Sequence, residues 1–457
     1  MQKYLLGIDV GNSKTEHLLC TTEGEFVGIY HVPSPSKSDY NKMIPCLKEQ
    51  IKVLLERCNI NVESISAAGF GIAQTYTPSQ TSEIEELIKN IFGVEKIHFS
   101  TDTGHGTYAK WMGRGKGIYS FASTGDITMG CTTDNKWMIV GGMVVNPSGD
   151  ASGAFLYKKA ADLLNDYYYR CGKDSIVFPE LISLLGLDET NLRKSLKEVK
   201  GSSLKKMSKD IISLMDDGAL AGDEVAVQLF REAGISSGMS SAGCIKNMTF
   251  SKEITEKNPV QIVLIGSIWN KIINDNMRDA YKKTVQELAG MPCKISILEA
   301  PPVVGGVLKA KEALDGKRVT EDYRTKVLES TALGSTKADI AALQKDELPN
   351  IELLRYLVTA KKNKPQTAAI LDIDEMICGM IKKHPMLKSV SADLASALYP
   401  AISSILLKDY KKAFDKIVSA SAHLKIASED VEAYNQLVTT CGTKVNNKDY
   451  FIRFQKA

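Results

Sequence analysis

The chain has 457 residues, enough for roughly two to four domains, each with a hydrophobic core of its own. A net charge of +3, without a long run of lysine and arginine, argues against DNA or RNA as a partner. No apolar stretch approaches the ~20 residues that span a bilayer, and the first residues lack a signal-peptide pattern, so we expect a cytoplasmic protein without a membrane partner.

The first part of the chain alternates between strand and helix patterns. Three short apolar runs predict antiparallel strands: KYLLGIDV, TEHLLCTT and EFVGIYHV. Apolar residues spaced three and four apart then follow Asp39, which predicts an amphipathic helix with Asp39 as its N-cap. A strand, a helix and another strand come next: SISAAGFGIAQ, SEIEELIKNIF and EKIHFSTDT. This alternation is typical of a layered α/β domain.

A similar plan appears a second time. The stretch GKGIYSFASTGDITMGCTTDNKWMIVGG contains three strand-like runs, and helical patterns follow it. Two further strands, VQIVLIGS and CKISILEAPPVV, each precede a helix. Each half thus begins with a β-meander that carries a glycine-containing turn and continues as β-α-β. We therefore predict two similar lobes that face each other across a cleft.

From about Gly316 onward the patterns are helical. Helices with apolar stripes must bury one face, as the spacing of Leu394, Leu398, Ile402 and Leu406 illustrates. Two interpretations remain open: a self-contained bundle packed on the first lobe, or a module for homodimerisation or docking of a partner. The predicted domains are residues 1–112, 113–315 and 316–457, and the last helix of the second is allowed to return to the first.

A short turn joins the first two predicted strands. Gly11 has no side chain, so the backbone N–H groups beside it can approach and cradle phosphate oxygens. Asp9, at the end of the strand, is placed to hold Mg²⁺ through its water shell. The other candidates for nucleotide binding in this turn are Asn12, Ser13, Lys14 and Thr15. The alternative is a plain hairpin whose Asp and Ser side chains satisfy turn amides.

The second meander has a comparable turn. Ser123, Thr124, Gly125 and Asp126 follow the strand that heads it, as small polar residues follow the strand in the first turn. Two such turns can face one polyphosphate. We therefore add Ser123, Thr124 and Gly125 to the predicted nucleotide-binding residues.

Five stretches in order resemble the superfamily that includes actin, heat-shock chaperone ATPases, and acetate and sugar kinases. They are GIDVGNSKT, STDTGHGTYA, ASTGDITMG, GGMVVNPSGDASGAF, and IVLIGSIWN with APPVVGGVLKA. Residues 1 to 315 are similar to N-acetylglucosamine kinases and to the related ATPase family that contains the activators of benzoyl-CoA reductase and 2-hydroxyacyl-CoA dehydratase. The resemblance implies an α/β fold of two ribonuclease-H-like, actin-like ATPase lobes around a nucleotide cleft, with ATP and Mg²⁺ as cofactors. The all-α C-terminal domain is appended to it.

The resemblance also implies roles for individual residues. Asp102 matches the catalytic aspartate, which accepts the proton of the attacking hydroxyl. Its alternative role is that of N-cap to the helix from Thr103 to Trp111. Gly266 and Ser267 match the adenosine site. The implied substrate-binding residues are Gln74, Asp102, Asn146, Ser148 and Asp150, where Asp150 has the alternative role of a polar residue in a helix-start loop.

The sequence departs from the family pattern at three positions. The sugar-facing loop reads Gly-Asp-Ala-Ser-Gly and lacks the usual glutamate, Asp126 stands where such kinases carry serine, and Ser267 replaces a second glycine. Nine scattered cysteines include no Cys-x-x-Cys pair and no zinc spacing, so free thiols are expected. Because no cysteine pair is flanked by glycine as at the activators' iron–sulfur site, we rank the activator below the kinase.

These observations predict an enzyme that transfers the γ-phosphoryl group of ATP to a hydroxyl of an amino sugar such as N-acetylglucosamine or a related small molecule. The second hypothesis is a nucleotide-binding module that grips a protein partner with little or no turnover. For His105, two residues before Thr107, we favour a polar surface residue over a proton shuttle.

Overall fold

The computed structural model describes residues 2–11, 13–36, 39–73, 78–94, 96–111, 117–132, 136–141, 151–199, 201–248, 254–344 and 350–445. For residues 78–81, 91, 92, 111 and 193 it describes the backbone and not the side chain. Along these ranges, no helix combines the length and the apolarity needed to cross a bilayer.

Secondary structure covers most of the described chain. The elements up to residue 247 are β1 (Tyr4–Val10), β2 (Lys14–Thr21), β3 (Phe26–Pro33), α1 (Tyr40–Cys58), β4 (Ile65–Ile72), α2 (Pro78–Phe92), β5 (Ile97–Ser100), α3 (Asp102–Trp111), β6 (Gly117–Ala122), β7 (Asp126–Cys131), β8 (Trp137–Gly141), α4 (Gly153–Tyr169), α5 (Phe178–Leu185), α6 (Leu192–Glu198), α7 (Gly201–Lys206), α8 (Ser208–Leu220) and α9 (Glu224–Asn247). Those that follow are β9 (Val260–Ile265), α10 (Ser267–Lys271), α11 (Asn276–Leu288), β10 (Cys293–Ile297), α12 (Val304–Asp315), α13 (Glu321–Leu343), α14 (Ile351–Asn363), α15 (Pro365–Ile370), α16 (Ile373–Ile381), α17 (Ala392–Ala397), α18 (Tyr399–Leu406), α19 (Tyr410–Ser421) and α20 (Val431–Val445).

The first sheet has the strand order β3-β2-β1-β4-β5. β1 and β2 pair antiparallel, with Asp9 opposite Glu16, and β2 and β3 continue the meander. β4 lies parallel to β1, and β5 lies parallel to β4. The predicted three-stranded meander followed by β-α-β is confirmed, as is the predicted N-cap, because the Asp39 carboxylate accepts the N–H of Asn41 at the start of α1.

The second sheet repeats this topology. Its order is β10-β9-β6-β7-β8, in which β6 pairs antiparallel with β7 and parallel with β9. Numbered from its own first strand, this order is the same as that of the first sheet. The internal repeat predicted from the sequence is therefore confirmed at the level of strand order.

β1 is apolar along its length because both of its faces are covered. Leu6, Ile8 and Val10 point to a core formed with α1 and α2, and Leu5, on the opposite face, points to a second core. That second core combines residues of both sheets with residues of α3, α12 and α13. A strand covered on both sides has no polar alternation, which is the pattern of KYLLGIDV.

By packing, the chain divides into two compact units. Unit 1 consists of residues 1–140, 243–266 and 289–341, and contains both sheets. Unit 2 consists of residues 141–242, 267–288 and 342–457. The domain boundaries predicted at residues 112 and 315 stay a prediction.

In unit 1, helix α12 packs closely on β4 and α3 through two of its own glycines, Gly305 and Gly306. A Cβ atom on Gly69 of β4 would overlap the carbonyl group of Gly306 and lie 2.9 Å from its Cα. A Cβ atom on Gly305 would overlap the carbonyl oxygen of His105. Only glycine permits this approach, because in each case the obstacle is backbone, which cannot rotate away.

In unit 1, α13 lies against the first meander. The hydroxyl of Tyr323 donates to the carbonyl oxygen of Thr22 at 3.1 Å, and the N–H of Phe26 donates to Ser330 Oγ at 2.7 Å. Val327 and Ala332 add apolar surface to the core shared by the two sheets. The first helix after Gly316 therefore belongs to unit 1.

The described part of unit 2 is helical and encloses a buried polar cluster. The carboxylate of Asp216 is fully buried and accepts the N–H groups of Ile273 and Asn274, at 3.0 and 2.9 Å. Arg355 of α14 bonds to the same carboxylate at 2.6 Å and also contacts Asp217. These bonds tie α8, the segment between α10 and α11, and α14 together. Because the cluster is satisfied on several sides, its burial is tolerated.

The predicted apolar stripe lies in unit 2, which contains the helices of the predicted tail from α14 onward. Leu394, Leu398 and Ile402 are each no more than 2% exposed. The stripe does not run along one helix, because a break before Tyr399 and Pro400 divides it between α17 and α18. α18 packs on α8, α14 and α19 within this unit.

Candidate nucleotide and phosphoryl-transfer site

The first candidate phosphate turn connects β1 to β2. It is closed by the N–H of Gly11, which donates to the carbonyl oxygen of Lys14 at 3.0 Å. Asp9 precedes the turn and is 9% exposed, whereas Ser13 and Lys14 are exposed. Asn12 lies outside the described residues. The turn therefore presents its polar tip to solvent and keeps the Asp9 carboxylate near the sheet.

The second candidate turn connects β6 to β7. The N–H of Ser123 donates to the carbonyl oxygen of Gly125 at 2.8 Å, and Ala122 then faces Asp126 in the antiparallel register. Apart from its two neighbours in the chain, no described residue has an atom within 4 Å of the Cβ position of Gly125, so space is open there. Both turns thus join two antiparallel strands and expose small polar residues.

The two turns meet in unit 1. Ser13 Oγ lies 3.0 Å from Thr124 Oγ1, a hydrogen-bond distance at which either hydroxyl can donate. The two residues are 111 positions apart in the chain. The structure therefore brings together one hydroxyl from each predicted phosphate turn.

The ammonium group of Lys14 is engaged by a buried carboxylate. Its Nζ lies 2.7 Å from Glu16 Oε1, and the same oxygen lies 3.2 Å from His31 Nδ1. Burial would raise the pKa of Glu16, but the charge of Lys14 and the contact with His31 outweigh it and hold the pKa well below its usual range. Although half of the Lys14 side chain is exposed, partial desolvation of its ammonium group opposes the charge, yet Glu16, Asp9 and Asp339 raise its pKa. Lys14 therefore remains charged, and part of its interaction is committed to Glu16.

Asp102 is the first residue of α3, and another residue caps this helix. Thr101 Oγ1 accepts the N–H of Gly104 at 3.1 Å, which is the bond that an N-cap side chain makes. Asp102 Oδ1 accepts the N–H of the adjacent Thr103 at 2.8 Å. Thr101, which the sequence analysis missed, is therefore the N-cap, and the capping role considered for Asp102 is wrong. The sequence signal for this N-cap was a threonine directly before Asp-Thr-Gly.

His105, one turn after Asp102, is not at the surface, and that expectation is wrong. Its side chain is fully buried against Gly71 and Gly306, and neither ring nitrogen has a hydrogen-bond partner among the described residues. Burial, with the nearby charges of His98 and Lys309, lowers the pKa of His105 to about 3. The ring is neutral at neutral pH, which also argues against a proton shuttle.

The buried His105 predicts a pH-dependent stability. Its pKa is lowered from 6.5, so the unfolded chain takes up a proton first, and stability present above pH 6.5 is lost as the pH falls towards 3. We expect the variant His105→Leu to reduce the slope of unfolding free energy against pH by about 1.4 kcal/mol per pH unit between pH 6 and 4. Urea unfolding at several pH values measures it. An unchanged slope would show that the ring is protonated in the folded state.

The end of β9 also requires a glycine. Gly266 has a φ of 111°, and a Cβ atom there would overlap the carbonyl oxygen of Ala122 at the end of β6. This close approach accounts for the glycine independently of any ligand. Ser267 is the first residue of α10. The predicted substrate residues Gln74, Asn146, Ser148 and Asp150 lie outside the described residues.

Comparisons with known proteins support the fold. No protein-family model and no curated protein matches the chain. A solved structure provisionally named N-acetylglucosamine kinase, from Chromobacterium violaceum, is 17% identical with a TM-score of 0.51, and the match covers 67% of this chain and 99% of that one. Another with this provisional name, from Porphyromonas gingivalis, is 16% identical with a TM-score of 0.48, over 69% and 99% of the two chains. A glucokinase of the ROK family from Streptomyces griseus, in complex with glucose and AMPPNP, is 15% identical with a TM-score of 0.44, over the same shares.

At these identities the likeness concerns the fold alone, and of these three structures the Chromobacterium one has a TM-score above 0.5. The match with that structure covers 67% of this chain. The two sheets of the same strand order described above support the same fold. The chain therefore shares the fold of that structure, with two ribonuclease-H-like sheets of the same strand order, and has an additional helical region.

Proposed function

We propose that this protein is an ATP-dependent phosphotransferase that acts on a hydroxyl of an amino sugar such as N-acetylglucosamine. The observation that carries the proposal is the 3.0 Å contact between Ser13 and Thr124, which joins the two turns predicted to hold phosphates. Two exposed turns that belong to matching positions of repeated sheets suit a ligand with several phosphates in a row. The sugar-kinase fold supports the same reaction class.

In the proposed complex the phosphate oxygens accept hydrogen bonds from backbone N–H groups of the two turns. Gly11 and Gly125 keep side chains away from this backbone, and the hydroxyls of Ser13 and Thr124 exchange their mutual bond for bonds to phosphate. Lys14 adds positive charge while it remains paired with Glu16. Gly266 and Ser267 are proposed to contact the adenosine.

The donor chemistry of the site fits Mg²⁺. Asp9 offers hard carboxylate oxygens at the end of β1, and Mg²⁺ is usually held by one or two carboxylates together with water and substrate phosphates. Among the described residues there is no group of three or more His, Cys, Asp or Glu that would bind a metal alone, which suits such a shared site. When bound, the ion would neutralise charge on the transferring phosphoryl group.

Asp102 is proposed as the general base. Its carboxylate stands at the start of α3 and is partly exposed, and Thr101 relieves it of capping the helix. In the reaction the acceptor hydroxyl gives its proton to Asp102 while its oxygen bonds to the γ-phosphorus, and the bond to ADP breaks. Gln74, Asn146, Ser148 and Asp150 are proposed to bind the sugar.

The experiment that tests this function measures ADP production with a panel of N-acetylated and free hexosamines. We expect one or more of these sugars to stimulate ADP release and to appear as a phosphorylated product by mass spectrometry. ATP binding without stimulation by any sugar would contradict the kinase and favour a nucleotide-binding module that grips a protein partner.

A prediction on the metal concerns Asp9. Because its proposed partner is the hydration shell of Mg²⁺, Asp9→Ala should weaken binding of Mg·ATP far more than binding of ATP in the presence of a chelator. Isothermal titration calorimetry under both conditions measures the two affinities. Equal losses would mean that Asp9 acts only as a residue of the turn.

A further inference from the structure

Ser34 is hydrogen-bonded to the backbone of the first candidate phosphate turn. Its Oγ donates to the carbonyl oxygen of Gly11 at 2.8 Å, and its N–H donates to the carbonyl oxygen of Ser13 at 3.2 Å. Thr15 Oγ1 lies 3.1 Å from the same Ser34 Oγ. One residue thus bonds to both ends of the segment Gly11–Ser13 and to the strand that follows it.

The backbone around Ser34 is stiff. Pro33 ends β3, where it lies opposite Lys14, and Pro35 follows Ser34 directly. Each proline fixes its own φ, and each restricts the residue before it to extended conformations. Pro35 therefore confines Ser34 to extended conformations, and fixing the residue in one of them costs less entropy than it would without the proline.

The bonds of Ser34 bear on the orientation of the turn. A hydrogen bond to the oxygen of a peptide group fixes the direction of the N–H on the same peptide. The Ser13 carbonyl, which accepts the N–H of Ser34, shares its peptide group with the N–H of Lys14. The bond from Ser34 Oγ to the Gly11 carbonyl oxygen holds the backbone where it leaves β1. Donors that are oriented before the anion arrives bind it without paying for reorganisation.

We propose that Ser34 is a positioning residue that presets the backbone N–H groups of the Gly11–Lys14 turn for the phosphates of ATP. The inference rests on the proposed function. Ser34 acts through the turn and does not itself touch the nucleotide. Ser34 directly follows β3, and the sequence analysis did not connect this part of the chain with the site.

The test compares Ser34→Ala with Ser34→Thr. Loss of the hydroxyl removes one hydrogen bond to the turn and one to Thr15, so we expect the Kd for Mg·ATP and the KM for ATP to rise roughly tenfold in Ser34→Ala. The KM for the acceptor sugar should stay unchanged, and kcat should change less than twofold. Ser34→Thr keeps the hydroxyl and should restore the wild-type affinity. Calorimetry gives the Kd without any need for turnover.

Ser389→Ala is the matched control, because Ser389 bonds to Gln436 at an exposed position in unit 2. It should leave every constant unchanged, and thermal unfolding should show all three variants folded. Equal ATP affinity of the wild type and Ser34→Ala would overturn the inference alone. So would a Ser34→Thr variant as weak as Ser34→Ala. A wild type that binds no nucleotide would overturn the inference together with the proposed function.

Discussion

Replacing Asp102 by asparagine is expected to lower kcat by ~10²-fold or more while the affinity for ATP and the melting temperature stay close to those of the wild type. Asparagine keeps the size and the acceptor oxygen that bonds to Thr103, but it cannot take the proton of the acceptor hydroxyl. Steady-state kinetics and ATP titration measure the two quantities. Wild-type turnover in this variant would remove Asp102 from the mechanism.

A neighbouring variant separates catalysis from capping. Thr101→Ala removes the bond to Gly104 that caps α3, and should destabilise the protein by about 1 kcal/mol. Its kcat should fall far less than that of Asp102→Asn. The two residues are adjacent, but Thr101→Ala is expected to lower the stability and Asp102→Asn to lower kcat. The pair therefore separates capping from catalysis.

Replacing Gly69 by alanine is expected to destabilise the protein severely. The added methyl group would overlap the carbonyl of Gly306, so α12 would have to move away from β4. We expect a loss of about 3 kcal/mol, and a melting temperature lower by roughly 3 °C for a chain of 457 residues. Thermal unfolding followed by circular dichroism measures it. A change below about 1 kcal/mol would show that α12 adapts easily.

Gly379→Ala is the matched control for this variant. Gly379 lies exposed within α16, and, beyond the backbone of its own helix, no described residue has an atom within 4 Å of its Cβ position. Alanine is preferred over glycine inside a helix, so this variant should be more stable than the wild type by about 0.5–1 kcal/mol. The same chemical change thus has opposite expected signs at a close backbone contact and in open space.

The sheets were predictable from the sequence because their signals are local. A strand that is buried on both faces must be apolar throughout, as β1 is, and a turn such as Gly11–Lys14 needs small or polar residues. The same logic applies to α1, whose N-cap and apolar spacing lie within a few residues of each other. The repeat of this plan in the second sheet followed from the same local patterns.

Other features depend on residues that are far apart in the chain. Nothing near His105 in the sequence reveals that its ring packs against Gly71 and Gly306, so its burial could not be inferred from its neighbours. The assignment of α13 to unit 1 depends on contacts with Thr22 and Phe26, some 300 positions earlier. At the site, the roles of Ser34 and Thr101 depended on hydrogen bonds that a sequence pattern does not specify.

The cluster around Asp216 has a consequence for biosynthesis. Its partner Arg355 is 139 residues further along the chain, so a ribosome that adds about 5–20 residues per second delivers it roughly 7–28 s later. Until then the Asp216 carboxylate has to remain hydrated, and the helices around it cannot close. The Asp216 cluster is therefore completed only after α14 has been synthesised, and the core of unit 2 later still, because α18 packs on α8 and α14. Until then the apolar faces that these helices cover stay exposed.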